Sequence, residues 1–199
     1  MDHSELSEFH YITPVPNVAS ILQHGILCHN WARRFQHTSV AMIKIQERRK
    51  DKRIPGGYRL HHCVNLYVNA RNPMMYKVQA ERGIDNICVL SVSPDVLALP
   101  GAVVADRNAA SDYVRFSPAL EGLALLDHDT VFSRYWTHPG ELLVEWQHKS
   151  AMCAEVLVPK VVPPTFVQCA YVGSKQAEQR LKSAVPGLTV TSNDYLFFR

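Results

Sequence analysis

Residues 151–158 read Ala-Met-Cys-Ala-Glu-Val-Leu-Val, an apolar run of strand length broken by a single carboxylate, Glu155. A carboxylate in such a run either faces solvent on a half-exposed strand or is buried with a partner, because an unpartnered buried charge is too costly to keep ionised. Cys153, Glu155 and Leu157 share one face at period two, so the pattern admits both readings. Downstream, residues 169–172 read as a further strand, Ser174 as the N-cap of a helix over 175–185, and 188–198 as a terminal strand pair.

Upstream, the regular signals fade between residues 106 and 150, where only 118–126 carries a helical pattern. A long irregular segment in a compact domain is often functional. Before it, 87–92 is strand-like, with a short apolar piece at 102–105. Residues 64–68 form a strand, and the Asn72-Pro73 step opens a helix. Residues 39–52 are a helical candidate that ends at Ile54-Pro55-Gly56-Gly57. Residues 9–13 are a strand, stopped where Pro14 and Pro16 open a helix with Val18, Ile21 and Leu22 at helical spacing and Gly25 as its cap. The strands do not alternate regularly with helices. The expected class is therefore α+β, a single domain over 1–199 with a mostly antiparallel sheet.

The chain has 199 residues, 47% of them hydrophobic, enough to bury one substantial core. The opening MDHSELSEFH is polar and acidic, unlike a secretory signal, and no apolar stretch approaches the ~20 residues that span a bilayer. Cys28, Cys63, Cys88, Cys153 and Cys169 are scattered, as suits reduced thiols in a cytoplasmic protein. His61, His62 and Cys63 lack a second ligand pair at zinc spacing, so no metal is expected. The net charge of +3 hides an uneven distribution: between residues 33 and 59 nine Lys and Arg face two acidic residues, a local +7. Such a block is either a solvated basic face or a footprint for a polyanion.

No GxGxxG follows a strand, and no GxxxxGK or GxSxG occurs, so the common dinucleotide, phosphate-loop and hydrolase motifs are absent. The ordered succession His10-Tyr11-Ile12-Thr13, Pro16-Asn17-Val18 with Ile21-Leu22 and Gly25-Ile26-Leu27, Gln46-Glu47-Arg48-Arg49, Asn72-Pro73-Met74-Met75-Tyr76, and Ala154-Glu155-Val156-Leu157-Val158 does carry a resemblance. It resembles the DarT family, DNA ADP-ribosyltransferase toxins paired with a macrodomain antitoxin. The match runs over nearly the whole chain.

The resemblance implies an ADP-ribosyltransferase-like fold, a split antiparallel β-sheet core with flanking helices that binds NAD as co-substrate without a metal. By position, Tyr11, Ile12, Thr13, Ser20, Cys28 and Arg49 would hold NAD, Arg49 and Glu155 would be catalytic, and Arg107, Asn108, Lys50 and Arg53 would meet nucleic acid. The irregular stretch 107–150 would select the base, with Tyr113, Phe116, Tyr135 and Trp136 available either for base stacking or for core packing. Where the family commonly reads Tyr-His-Ile-Thr, His10 and Tyr11 stand in reverse order; Val64-Asn65-Leu66-Tyr67 replaces Val-Pro-Phe-Tyr; Asn108 stands where some members have histidine.

The implied activity is transfer of ADP-ribose to a base of single-stranded DNA, releasing nicotinamide. A base inside a duplex could not reach a buried ribose carbon. The same chemistry on RNA and a catalytically silent nucleic-acid-binding module are the alternatives, and the presence of both Glu155 and Arg49 weighs against the second.

Overall fold

The structure, a computed structural model, describes residue 1 and residues 3–199. Its strands are β1 Phe9–Pro14, β2 Ile26–Leu27, β3 Cys63–Tyr67, β4 Ile87–Val92, β5 Val103–Ala105, β6 Phe116–Pro118, β7 Glu155–Pro159, β8 Val161–Val162, β9 Val167–Val172 and β10 Val190–Ser192. Among the described residues eight of these form one sheet in the order β10-β9-β4-β1-β3-β7-β5-β6, and β2 pairs with β8. Every pairing is antiparallel except β10 with β9.

The sheet is weakest at its middle. All of β1 from Phe9 to Pro14 pairs with β4, yet β1 meets β3 only where His10 lies opposite Tyr67. Beyond that point the two half-sheets part. One lateral row crosses the whole join: Ser91, His10, Tyr67, Glu155, Ala105 and Phe116 stand opposite one another in turn. Opposed residues project to the same face, so Glu155 shares its face with Tyr67 and Ala105.

The alternation of each strand feeds two layers. Phe9, Val64, Leu66, Cys88, Leu90, Val156 and Val158 point into the large core on one side. The other side is divided into two smaller clusters, one around Ile12, Met75, Val89 and Phe197 and one around Leu60, Val103 and Leu157. The division follows the parting of the half-sheets.

Local chemistry sets most element ends. The Asn72 side chain accepts hydrogen bonds from the Met74 and Met75 amides and starts the helix Pro73–Arg82; Ser174 does the same for Lys175–Ala184 through Ala177. The expected helix at 39–52 is cut to Ile43–Arg49. Its first part is held extended instead: Asn17 exchanges two hydrogen bonds with the Thr38 backbone, at 2.8 and 3.0 Å, and Arg82 donates to the Ser39 carbonyl at 2.8 Å. Groups so engaged have none left for a helical turn.

Three further expectations are corrected. The strand expected from 151 begins only at Glu155, because Ala151 ends a helix, Leu142–Ala151, that the sequence pattern did not reveal. A terminal strand pair does not form: β10 is the last strand and pairs with β9 instead, and the chain after it is tied down by Arg71, which donates to the Tyr195 and Phe197 carbonyls at 2.8 Å. The helix at 118–126 divides into Ala119–Gly122 and a 3-10 turn, Leu123–Leu125.

Gly25 closes the helix Val18–His24 at φ 85° and ψ 174°, a conformation essentially confined to glycine. A Cβ there would lie 2.5 Å from the Val162 carbonyl oxygen and 2.8 Å from Val161 Cγ2. Gly25→Ala should therefore cost about 2 kcal/mol or more and lower Tm by about 4–8 °C. An unchanged thermal transition would contradict the close approach of β8 to this turn.

Candidate active site

The parting of the half-sheets opens a cleft of about 1210 Å³. Tyr11, Ile12 and Thr13 of β1 line one side, and Asn65 and Tyr67 of β3 the other. Arg49, at the end of the helix Ile43–Arg49, also faces the space. His10 does not line it. Its ring lies between the Glu8 carboxylate and the Val68 carbonyl, each 3.2 Å away, so Tyr11 is the ring on the cleft wall.

Glu155 is 0% exposed, which settles the two readings of its strand in favour of burial. One guanidinium nitrogen of Arg49, Nη1, lies 3.1 and 3.0 Å from the two carboxylate oxygens, and the Ala109 amide donates to Oε1 at 3.0 Å. Arg49 lines the cleft whereas Glu155 does not, so the guanidinium forms the cleft face of the pair. A buried pair of this kind is strongly destabilised by losing one member, because the survivor keeps its desolvation cost.

Several ionisable groups of the wall are driven toward their neutral forms. Burial pushes the Cys63 and Cys153 thiols and the Tyr11 phenol up to about 12, and raises Tyr67 well above its ordinary value with help from the charge on Glu155. Burial lowers His29 and His61, which stack at 4.5 Å between centroids, and the nearby Arg49 cation lowers both as well. Cys63 and Cys153 thus offer no thiolate nucleophile, and His29 and His61 favour the uncharged ring. Arg48, Lys77, Arg107, Arg115, Lys149 and Asp112 add charge to the lining, while the buried charges here are Arg49 on the cleft face and Glu155 behind it.

The mouth is built by the irregular segment. Asp106, buried after β5, binds Arg107 Nε and Nη2 at 3.1 and 3.0 Å and Arg115 N and Nε at 2.9 and 2.8 Å, which closes the loop between them. Arg107 and Asn108 line the cleft; the Asn108 side chain accepts from the Ala110 amide at 2.9 Å, and its own amide donates to Ser150. Tyr113 is 83% exposed at the rim, and Trp136 also lines it. Phe116 packs against the core of β5 and β7 instead.

Several expected contacts fall elsewhere. Ser20 and Cys28 are not among the described residues lining the cleft. Cys28 is buried in the large core, and its neighbours Leu27 and His29 line the cleft in its stead. Lys50 and Arg53 are exposed and also do not line it, and Arg53 donates to the Gly57 carbonyl at 2.6 Å. Sequence reading missed Leu143, Trp146 and Gln147, which the helix Leu142–Ala151 presents to the cleft. Their signal was the helical spacing of Leu143, Gln147 and Ser150. Among the described residues no three His, Cys, Asp or Glu side chains are grouped to hold a metal ion, and no helix is long and apolar enough to cross a membrane.

Residues 10–197 match the family model described as "ssDNA thymidine ADP-ribosyltransferase, DarT". The chain belongs to the DarT family. It is similar to a DNA ADP-ribosyl transferase of Thermus sp. (strain 2.9), 32% identical over 192 residues that cover 90% of this chain and 88% of the relative. A DNA ADP-ribosyl transferase–DNA ADP-ribosyl glycohydrolase fusion protein of Thermosipho africanus is 28% identical over 186 residues, and there the match spans 89% of this chain but 45% of the relative. Among solved structures, Thermus sp. 2.9 DarT in complex with ADP-ribosylated ssDNA superposes with a TM-score of 0.85 at 26% identity, covering 100% of this chain and 99% of that one. Thermosipho africanus DarTG in complex with ADP-ribose superposes at 0.82 and 25% identity, covering 97% of this chain and 51% of that one. The split sheet is therefore the DarT fold.

Asp106 gives this DarT loop a pH dependence. Burial alone would raise its carboxyl, but hydrogen bonds from Arg107 and Arg115 outweigh burial and hold it below the ordinary Asp value. The unfolded chain therefore takes up the proton first. The resulting stability is complete above the ordinary Asp value and is lost as pH falls through the depressed one. Asp106→Asn should be less stable than the parent at neutral pH, and the gap should narrow below about pH 4. Urea midpoints across pH check this, and a gap that widens in acid would refute the assignment.

Proposed function

We propose that this protein cleaves the bond between nicotinamide and ribose in NAD+ and transfers the ADP-ribose to a thymine of single-stranded DNA. The observation that carries the reading is the buried Arg49–Glu155 pair at the one place where the half-sheets of a DarT fold join. The matched family model and the Thermus complexes with ADP-ribosylated ssDNA and NAD+ support it.

In this reading NAD+ lies along the cleft with its nicotinamide end against Tyr11, Ile12 and Thr13. As the glycosidic bond breaks, positive charge builds on the ribose, a state that a fixed carboxylate stabilises. Glu155 supplies that carboxylate once the Arg49 guanidinium turns from it toward the pyrophosphate, which carries more negative charge than one carboxylate. The anomeric carbon then bonds to a ring nitrogen of the base, and the nitrogen's proton passes to Glu155. The protonated thiols Cys63 and Cys153 offer no competing thiolate.

The mouth suits an unpaired strand. Trp146, 64% exposed, Tyr113 and Arg107 all line the cleft, a combination of stacking surface and phosphate-binding charge. Lys50 and Arg53 lie outside the cleft, where they would meet only the flanking backbone. A DNA ADP-ribosyl glycohydrolase is the proposed partner, on the strength of the Thermosipho fusion. Labelled NAD+ incubated with single-stranded DNA, duplex DNA, RNA and protein tests the proposal: label should enter single-stranded DNA and require thymine. Label on protein alone would overturn it, and label on RNA alone would move the same chemistry to the other polymer.

Glu155→Gln should lower transfer on the order of 10²- to 10³-fold while NAD+ binding persists. Gln keeps an acceptor for the Ala109 amide but turns a donor toward Arg49, so Tm should fall by a few degrees, equivalent to about 1–3 kcal/mol. Arg49→Ala strands the carboxylate in the core and should cost about 3–5 kcal/mol together with NAD+ affinity. Melting, NAD+ affinity and transfer measured on the three proteins separate these effects. Near-normal transfer by Glu155→Gln would remove it from the chemistry.

A further inference from the structure

Lys52 belongs to the basic block, yet its ammonium is fully engaged. It donates to the carbonyls of Ala110 and Ser111 at 2.9 and 2.5 Å and pairs with Asp112 Oδ1 at 3.0 Å. An ammonium has three donors, so none is left for a phosphate. These acceptors follow directly on Ala109, whose amide holds Glu155 Oε1. Arg49, three residues before Lys52, holds the same carboxylate from the other side.

The contacts close a ring. It runs from Arg49 to Glu155, through the Ala109 amide into the loop, from the loop to Lys52, and along the chain back to Arg49. Asp106 anchors the ends of the loop at residues 107 and 115, and Lys52 anchors its middle. The Ala110 peptide, whose residue is 1% exposed, has the ammonium as its donor in place of water.

We infer that Lys52 is a positioning residue for the transfer reaction: by clamping the loop at residues 110–112 it fixes the Ala109 amide, and through it the orientation of the Glu155 carboxylate. This rests on the reading of Glu155 as the catalytic carboxylate. A carboxylate held by two donors from separate segments keeps one orientation, whereas one held by Arg49 alone turns with the guanidinium when that moves. The ammonium is what ties the second donor to the first.

The test compares kcat and KM for NAD+ and for a single-stranded oligonucleotide in the parent chain, Lys52→Met, Lys52→Arg and Glu155→Gln. Lys52→Met keeps the aliphatic stem and should lose on the order of 10- to 100-fold in kcat, as a small misplacement of a reacting group does, with both KM values unchanged. Lys52→Arg, which restores donors, should recover most of the rate. Should Lys52→Met melt below the assay temperature, Asp112→Asn, which weakens one exposed partner of the ammonium, should show a smaller loss in kcat alone.

Unchanged kcat in Lys52→Met, with Glu155→Gln inactive, overturns the inference and leaves the role of Glu155 standing. A raised KM for DNA with a shallower salt dependence and normal kcat overturns it too, since the lysine would then be a phosphate contact. So does a loss that Lys52→Arg fails to rescue. Near-normal transfer by Glu155→Gln would instead overturn the reading of the carboxylate itself.

Discussion

The contact between the Arg49 guanidinium and the Glu155 carboxylate holds together elements that little else connects. It joins the helix Ile43–Arg49 to β7 across a sheet whose halves share one row of paired residues. Taking both charges out of water is expensive, and the expense is tolerable only while each has the other and the carboxylate has the Ala109 amide as well. The segments that carry these groups are thereby constrained: the basic helix cannot drift from the cleft, and the loop after β5 cannot peel from the sheet. An arrangement that makes stability and charge placement depend on the same atoms is common at sites where charge does chemistry.

How much of this could be read from the chain varies with the range of the interactions. Asn72, Ser174 and Gly25 are legible because each acts on backbone groups within four residues, and a cap or turn residue declares that in its own chemistry. The strands at 64–68 and 87–92 are legible because each is a short, mostly apolar run of strand length. The extended stretch before Ile43 is not, since its partners Asn17 and Arg82 are distant in sequence. The helix Leu142–Ala151 escaped notice for a different reason: none of its residues is buried, so no apolar stripe marks a face toward a core.

The same distinction runs through the site. Glu155 drew attention as a charge in an apolar strand, and the resemblance to DarT supplied Arg49, Tyr11, Ile12 and Thr13, all of which the fold brings to one cleft or its floor. Cys28 and Ser20 did not follow, because neighbouring positions on a short strand and helix point in different directions. The role of Lys52 was invisible, since two of its acceptors are main-chain carbonyls, which have no signature in a sequence. The basic block, read as one surface, divides into an arginine turned inward, a lysine spent on a loop, and neighbours left to solvent.

The single rung between β1 and β3 makes the molecule mechanically uneven. Each half-sheet is cross-braced by a ladder along its strands, so shear within a half is resisted by many bonds at once, whereas rotation of one half against the other is resisted at the seam by one paired position and the His10–Val68 hydrogen bond beside it. Compliance is therefore concentrated where the cleft lies. A molecule seated between β1 on one bank and Arg49 and β3 on the other acts as a strut that supplies the missing rungs. With such a strut in place the protein would be stiffer than without it, and the gain in stiffness would fall along the line where its charges must hold their aim.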